Sequence, residues 1–284
     1  MVNTIRSEIP ITTFTSPMRP YDYRNKSVLI TGASSGIGHV FAHTLAARGA
    51  NLVLVARSAE VLTDLAQQLS VRHGVRAAAL PADLTEAGAA HDTYARACAL
   101  GLTPEVLINN AGFATHGRFE AIQLQRQTME IALNCTAVAE LSHAALPAML
   151  ACGQGAIINV ASTAALQPDP YMAIYGATKA FVLSFSEALW AENRTRGIRV
   201  LALCPGATDT AFFDVVGAAE AAVGKRMAPE AVVAAGLHAL DRGKSHFVAG
   251  RANRALALLP RLLPREIILR IVENMLQPRA RQAQ

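Results

Sequence analysis

The stretch SVLITGASSGIGHVF, residues 27–41, is an apolar run that breaks on three glycines and resumes with helical spacing. A buried strand turning sharply into a helix explains that order. Gly32, Gly36 and Gly38 permit a tight turn, let the backbone approach a bound group, and allow the helix to pack closely. The helix N-terminus adds free amides and partial positive charge above the turn, which suits a pyrophosphate. Ser34, Ser35 and Ile37 share that loop and its contacts. A glycine cluster alone is only a turn; the strand before it and the helix after it give it this meaning.

Working outward, short Val/Ile/Leu-rich segments recur at 51–56, 76–82, 105–109, 155–161, 198–204 and 245–250. Helix-like stretches fall between them at 36–49, 58–73, 85–100, 119–151, 173–196 and 229–241. Strands alternating with helices predict a parallel sheet buried on both faces, an α/β doubly wound fold in a single domain over residues 26–250. The 284 residues are 52% hydrophobic and 17% charged, which excludes a disordered chain. No apolar run reaches the length that spans a bilayer, and the first ten residues lack the apolar block of a signal peptide, so the expected location is cytoplasmic. Cys98, Cys135, Cys152 and Cys204 lack metal-type spacing, so four reduced thiols and no metal are expected.

Residues 1–25 contain three prolines and no clear period, and read as an extended arm. Residues 251–284 read as a basic helical extension. Arg251, Arg254, Arg261, Arg265, Arg270, Arg279 and Arg281 oppose only Glu266 and Glu273, which accounts for the chain's net charge of +5. Such a tail suits an anionic membrane surface, an acidic partner, a phosphorylated substrate or a solvated face; aromatics are not interleaved with the arginines, which argues against nucleic acid. Within it, Pro264 suits a helix start, and Ile267, Ile268, Ile271, Val272 and Met275 share one face that packs on the domain, on a second subunit or on a membrane.

The second strand ends Ala56-Arg57-Ser58, where a site for NAD usually places an acid on the ribose 2′-hydroxyl. A guanidinium there pairs instead with a 2′-phosphate, and Ser58 adds a donor, so the expected cofactor is NADP(H). Tyr175 and Lys179, four residues apart, project from the same helix face. The ammonium, with a cationic nicotinamide, favours the phenolate, which suits proton exchange near neutral pH. Ser162 follows the fifth strand at the carboxyl end of the sheet, where its hydroxyl can orient a substrate oxygen. Hydride transfer to a carbonyl needs this set.

TGASSGIG, the NNAG of residues 109–112, Asn134, Ser162, the Tyr175/Lys179 pair and PGATDT at 205–210 occur in order. In this the chain resembles the short-chain dehydrogenase/reductase family, whose Rossmann fold would cover about residues 26–250. The resemblance implies that Tyr175 is the acid/base, that Lys179 holds the nicotinamide ribose and lowers the tyrosine pKa, that Ser162 stabilises the substrate oxygen, and that Asn134 holds a relay water. It implies adenine contacts from Asp83 and Leu84, support from Asn110, Ala111 and Gly112, and cofactor contacts from Pro205, Gly206, Thr208 and Thr210. Thr208 departs from the family's Val or Ile. A homo-oligomer built on the helices at 119–151 and 173–196 is likewise implied by the resemblance.

The segment 209–227 lies where the family carries a substrate lid, with Phe212, Phe213, Val215, Val216 and Met227 as its apolar residues. Gln167, Asp169 and Tyr171 are further candidates for touching substrate; His116 is near by position without an assigned role. His39 and His43 lack a third metal ligand. The expected function is an NADPH-dependent oxidoreductase interconverting an apolar ketone and a secondary alcohol, a small-molecule substrate. The alternatives are a 3-oxoacyl-thioester reductase and a catalytically inactive dinucleotide-sensing regulator.

Overall fold

The computed structural model describes residues 19–217 and 224–278, without the side chains of Asp214, Val215 and Arg261. Most of the expected arm, the middle of the expected lid, the Val215 side chain, and Arg279 and Arg281 therefore lie outside the described residues. In chain order the elements are β1 (Ser27–Thr31), α1 (Gly36–Ala46), β2 (Asn51–Ala56), α2 (Ala59–His73), β3 (Ala77–Pro81), α3 (Ala89–Ala99), β4 (Val106–Asn109) and α4 (Leu124–Ile131). They continue as α5 (Ala137–Ala151), β5 (Gly155–Val160), α6 (Ala173–Asn193), β6 (Ile198–Cys204), α7 (Phe212–Val216), α8 (Pro229–Asp241), β7 (His246–Val248), α9 (Arg251–Leu256), α10 (Leu259–Leu262) and α11 (Arg265–Leu276).

All seven strands are parallel, in the order β3-β2-β1-β4-β5-β6-β7. Successive residues feed opposite faces: Val28 and Ile30 of β1, Leu52 and Leu54 of β2, and Val106 and Ile108 of β4 pack with Phe41, Leu45 and Leu62 of α1 and α2 and with Val232 and Leu237 of α8. Leu29, Val53, Val55 and Leu107 point the other way, into a core with Ala97 of α3 and Leu141 and Met149 of α5. Two buried faces explain why these strands read as unbroken apolar runs rather than alternating ones. The chain reverses its direction of sheet growth between β1 and β4, and the crevice above that point is where such sheets take ligands.

Three boundaries differ from the sequence reading. Tyr21 and Tyr23, assigned to the arm, are buried in the core, and the Tyr21 amide donates to Asp241 Oδ1 at 2.8 Å. The helix expected from 85 starts at Ala89, because the Asp83 carboxylate accepts from the Thr85 amide and hydroxyl in a tight turn and Gly88, at φ 77°, turns the chain first. The helix expected over 119–151 is broken: a single 3₁₀ turn at Phe119–Ala121, then α4, then a π-helical turn at Ala132–Thr136, then α5. A π turn inserts one extra residue per turn and is common beside functional sites; Asn134 sits inside this one.

Candidate active site

The loop between β1 and α1 follows its glycines. Gly32 and Gly36 have φ of 65° and 55°, open to glycine without strain. A Cβ at Gly38 would strike the Gly32 carbonyl, and one at Gly36 would come within 3.0 Å of Thr210 Cγ2. Asn110 Nδ2 holds the loop from beneath, donating to the carbonyls of Thr31 (3.0 Å) and Gly32 (3.2 Å), while Thr31 Oγ1 accepts from the amides of Asn110 and Ala111. At the start of α1, Ser35 makes no side-chain capping bond. The first-turn amides thus stay available to an anion, as a pyrophosphate requires.

A cavity of about 620 Å³ begins at this loop. It takes in Ser34, Ser35, Gly36 and Ile37, then Arg57 and Ser58 at the end of β2, Asp83 and Leu84 after β3, and Asn110, Ala111 and Gly112 after β4. Ser162, Tyr175 and Lys179 lie on its inner wall, and Pro205, Gly206, Thr208 and Thr210 close one side. Gly38 and Asn134 stand behind the wall. Exposed Arg57 makes no side-chain hydrogen bond among the described residues, and its charge helps hold the Asp83 carboxyl below its ordinary pKa, a shift led by the hydrogen bond from the Thr85 amide. Thr208 is buried and its hydroxyl donates to the Gly206 carbonyl at 3.0 Å, which accommodates a polar side chain where the family pattern has an aliphatic one. These residues fit a dinucleotide: a glycine cradle that a Cβ would fill, open amides at one end, and a free guanidinium at the ribose end.

Lys179 is buried, and its Nζ donates to the Val160 carbonyl at 2.8 Å while standing 5.7 Å from the Tyr175 ring centroid. Burial pulls its pKa down to about 8. Burial also pushes the Tyr175 phenol well above its ordinary range, against the pull of its hydrogen bond with Ser162 and with the carboxyls of Asp169 and Glu130 adding to the rise. The expectation that Lys179 lowers the tyrosine pKa is therefore not met in the protein alone. Desolvation dominates, and the lysine spends its visible bond on a strand carbonyl. Tyr175 holds its proton at neutral pH.

Asn134 is buried, with its side chain committed: Oδ1 accepts from the Phe113 amide (3.2 Å), and Nδ2 donates to the Phe113 carbonyl (3.0 Å) and Thr178 Oγ1 (3.1 Å). It ties the β4 exit loop to α6, next to Gly112, where a Cβ would come within 2.9 Å of its Oδ1.

The far part of the cavity is apolar, and the sequence reading missed much of it. Phe212 of α7 packs on Tyr175 with centroids 5.7 Å apart. Its other wall is the basic extension: Leu256, Leu259, Ile268, Ile271, Val272, Met275 and Leu276 line the cavity, and Leu276 is buried against Tyr175 and Met172. Ile268, Val272 and Leu276 of α11 pack on the chain's own domain beside the active site, whereas Ile267, Ile271 and Met275, read as part of the same stripe, stand exposed. His116 Nε2–H donates to the Leu276 carbonyl at 2.7 Å and clasps the last turn of α11. His116→Ala is expected to raise the KM for a bulky substrate about fivefold, one hydrogen bond's worth, with cofactor Kd unchanged; steady-state kinetics and a cofactor titration check it.

Two buried carboxyls escaped the sequence reading as titrating groups. Asp169 lines the cavity, accepts from Gln167 Nε2 at 3.0 Å, and is pushed by burial up to about 7. Glu130 accepts from the Thr115 amide (3.0 Å) and hydroxyl (2.7 Å) through Oε2, while Oε1 is buried without a partner. Burial raises Glu130 to about 7. An acid whose folded pKa exceeds its unfolded value binds more protons folded, so its contribution to stability is greatest below about 4.5 and declines as pH rises to about 7. Glu130→Gln is expected to flatten that decline, since the amide mimics the protonated acid, whereas Glu130→Leu loses both Thr115 bonds and destabilises at every pH. Denaturation midpoints at pH 5 and pH 8 check both.

The His39 and His43 rings lie 4.6 Å apart, tilted by 54°, and no group of three metal-ligating side chains occurs among the described residues. The four cysteines are free.

A nucleotide cradle, a Ser–Tyr–Lys set and an apolar chamber in one crevice describe a dinucleotide-dependent oxidoreductase. The short chain dehydrogenase family profile matches residues 26–221, and the chain belongs to that family. Among solved structures it is similar to a short-chain dehydrogenase from Sphingobium yanoikuyae in complex with NADPH, with 36% identity, 91% of this chain and 98% of that chain covered, and a TM-score of 0.74. It is also similar to the bulky-bulky ketone specific alcohol dehydrogenase from Comamonas testosteroni, at 32% identity, 90% and 96% coverage and TM-score 0.70. A very-long-chain 3-oxoacyl-CoA reductase from Anas platyrhynchos is 35% identical over 181 residues, 62% of this chain. That match spans 58% of the relative's own length, less than two thirds.

Proposed function

We propose that this oxidoreductase uses NADPH to reduce a bulky apolar ketone to a secondary alcohol. The observation that carries the reading is the shared cavity, in which a protonated Tyr175 and the Ser162 hydroxyl face a chamber walled by Phe212, Met172 and the α11 side chains. The similarity to a ketone-specific alcohol dehydrogenase supports the substrate class, and the NADPH-bound relative together with Arg57 supports the cofactor.

NADPH, when bound, supplies the hydride to the carbonyl carbon. Ser162 donates to the carbonyl oxygen and holds it beside Tyr175, whose phenol delivers the proton that completes the alcohol. Lys179, with protons left beyond its bond to Val160, holds the ribose and offsets charge on the phenolate left behind. Asn134 positions this set by fixing the loop at Phe113 and the helix at Thr178. The apolar wall excludes water, which strengthens each of these bonds.

The second reading, a 3-oxoacyl thioester reductase, is favoured by the Anas platyrhynchos relative. NADPH oxidation measured across bulky ketones, small ketones and 3-oxoacyl thioesters separates the two. Preferential turnover of thioesters would displace the ketone reading, and tight NADPH binding without turnover of either would favour a dinucleotide sensor. A cytoplasmic, homo-oligomeric enzyme accords with this chemistry.

A further inference from the structure

More than half of the large apolar side chains that stand exposed on the described residues fall between Leu256 and Met275. They divide into two groups. Leu258, Leu262, Leu263 and Ile267 face outward only, with Leu262 75% exposed. Leu256, Leu259, Ile271 and Met275 are also exposed, yet they line the active-site cavity. Exposed apolar side chains therefore stand both on the chamber wall and on the outside of the same short stretch of chain.

Charge surrounds it asymmetrically. Arg251 and Arg254 of α9 and Arg265 and Arg270 of α11 are exposed, against Glu266 and Glu273 of α11. At about 100° per residue, Ile267, Ile271 and Met275 form one strip of α11 beside the buried stripe of Ile268, Val272 and Leu276. On the open side Asn274 borders the strip, Arg270 follows, and both glutamates lie beyond Arg270. An amphipathic surface with four exposed arginines against two glutamates, and with Arg270 nearer the apolar strip than either acid, complements an anionic lipid surface. A second copy of this chain fits less well, because a two-fold contact sets the same arginines against each other. No helix among the described residues is long and apolar enough to cross a membrane, so the contact is with the surface of the bilayer.

We propose that the surface formed by α9, α10 and α11 docks the enzyme on an anionic bilayer, with the mouth of the chamber against the lipid, so that a membrane-dissolved apolar ketone enters without crossing water. The proposal rests on the apolar-ketone reading for its substrate, but its test reads binding and needs no turnover.

The full chain is sedimented with vesicles of phosphatidylcholine alone and of phosphatidylcholine containing phosphatidylglycerol. Binding is expected to the anionic vesicles, to fall steeply with added salt, and to drop about tenfold or more in Leu258→Ser/Leu262→Ser/Ile267→Ser. Arg265→Gln/Arg270→Gln is expected to lower it about fivefold per arginine removed. None of these side chains touches the reacting groups, so kcat on a water-soluble ketone should stay at the parent value, which also reports folding. Failure to bind anionic vesicles overturns the proposal, as does undiminished binding by the triple variant. Sedimentation velocity showing that the triple substitution splits a dimer overturns it in favour of a second copy.

Discussion

Tyr175→Phe should lower ketone reduction about 10³-fold while NADPH binds as tightly as before. The substitution removes one hydroxyl and little else. The ring's contacts with Phe212, Met172 and Leu276 are apolar and survive, so the chamber keeps its shape. Ser162 loses its bond to the phenol but still accepts from the Ala164 amide at 3.1 Å. Lys179 is anchored on the Val160 carbonyl, independent of the tyrosine. What disappears is the proton donor. Because burial raises the phenol above its ordinary range, the wild-type donor is loaded at neutral pH. Single-turnover kinetics with a separate NADPH titration distinguish the outcomes: retained turnover removes Tyr175 from the chemistry, while lost cofactor binding makes the residue structural.

The sheet was legible because a parallel sheet buried on both faces leaves a simple trace: β1, β2, β5 and β6 appear as short runs of Val, Ile, Leu and Ala. The glycines of the first turn were legible for the same reason, since local geometry alone demands them. The features that were not legible depend on distant contacts. Tyr21 and Tyr23 look like tail residues until Arg199, which lies over the Tyr21 ring at 5.4 Å, and Arg48, over Tyr23 at 5.6 Å, are brought to them by the fold. The π turn around Asn134 adds one residue to a helix whose composition is unremarkable, and apolar spacing averages over it. The apolar spacing of α11 did not show that Val272 and Leu276 pack in Tyr175's own neighbourhood while Ile267, Ile271 and Met275 stay exposed.

The electrostatics of the site likewise depend on burial that spacing does not show. Four-residue spacing places Tyr175 and Lys179 on one face, and from spacing alone the ammonium ought to pull the phenol down. Both groups are buried, and desolvation opposes the charged form of each. Glu130 carried a usable signal, standing one helical turn before Asn134, yet only the fold shows its second oxygen enclosed and unpaired.

Arg57→Ala should weaken NADPH about 10- to 100-fold and NADH by less than about threefold, from the loss of charge-assisted bonds to the 2′-phosphate. The geometry favours a selective effect. Arg57 lies at the carboxyl end of β2 on the rim of the cavity, is exposed, and makes no side-chain hydrogen bond among the described residues, so truncation disturbs no internal contact. Its one visible electrostatic neighbour, Asp83, is held chiefly by Thr85 and stays in place without it. Exposure also means that salt screens the interaction, so the NADPH preference of the wild type should narrow as ionic strength rises, whereas a preference set by shape would not. Arg57→Asp goes further: a carboxylate there repels a 2′-phosphate and accepts from a 2′-hydroxyl, and should turn the preference toward NADH. Fluorescence titrations of both cofactors at low and high salt decide the matter. Equal losses for the two dinucleotides would mean that Arg57 supports the fold of the loop and reads nothing.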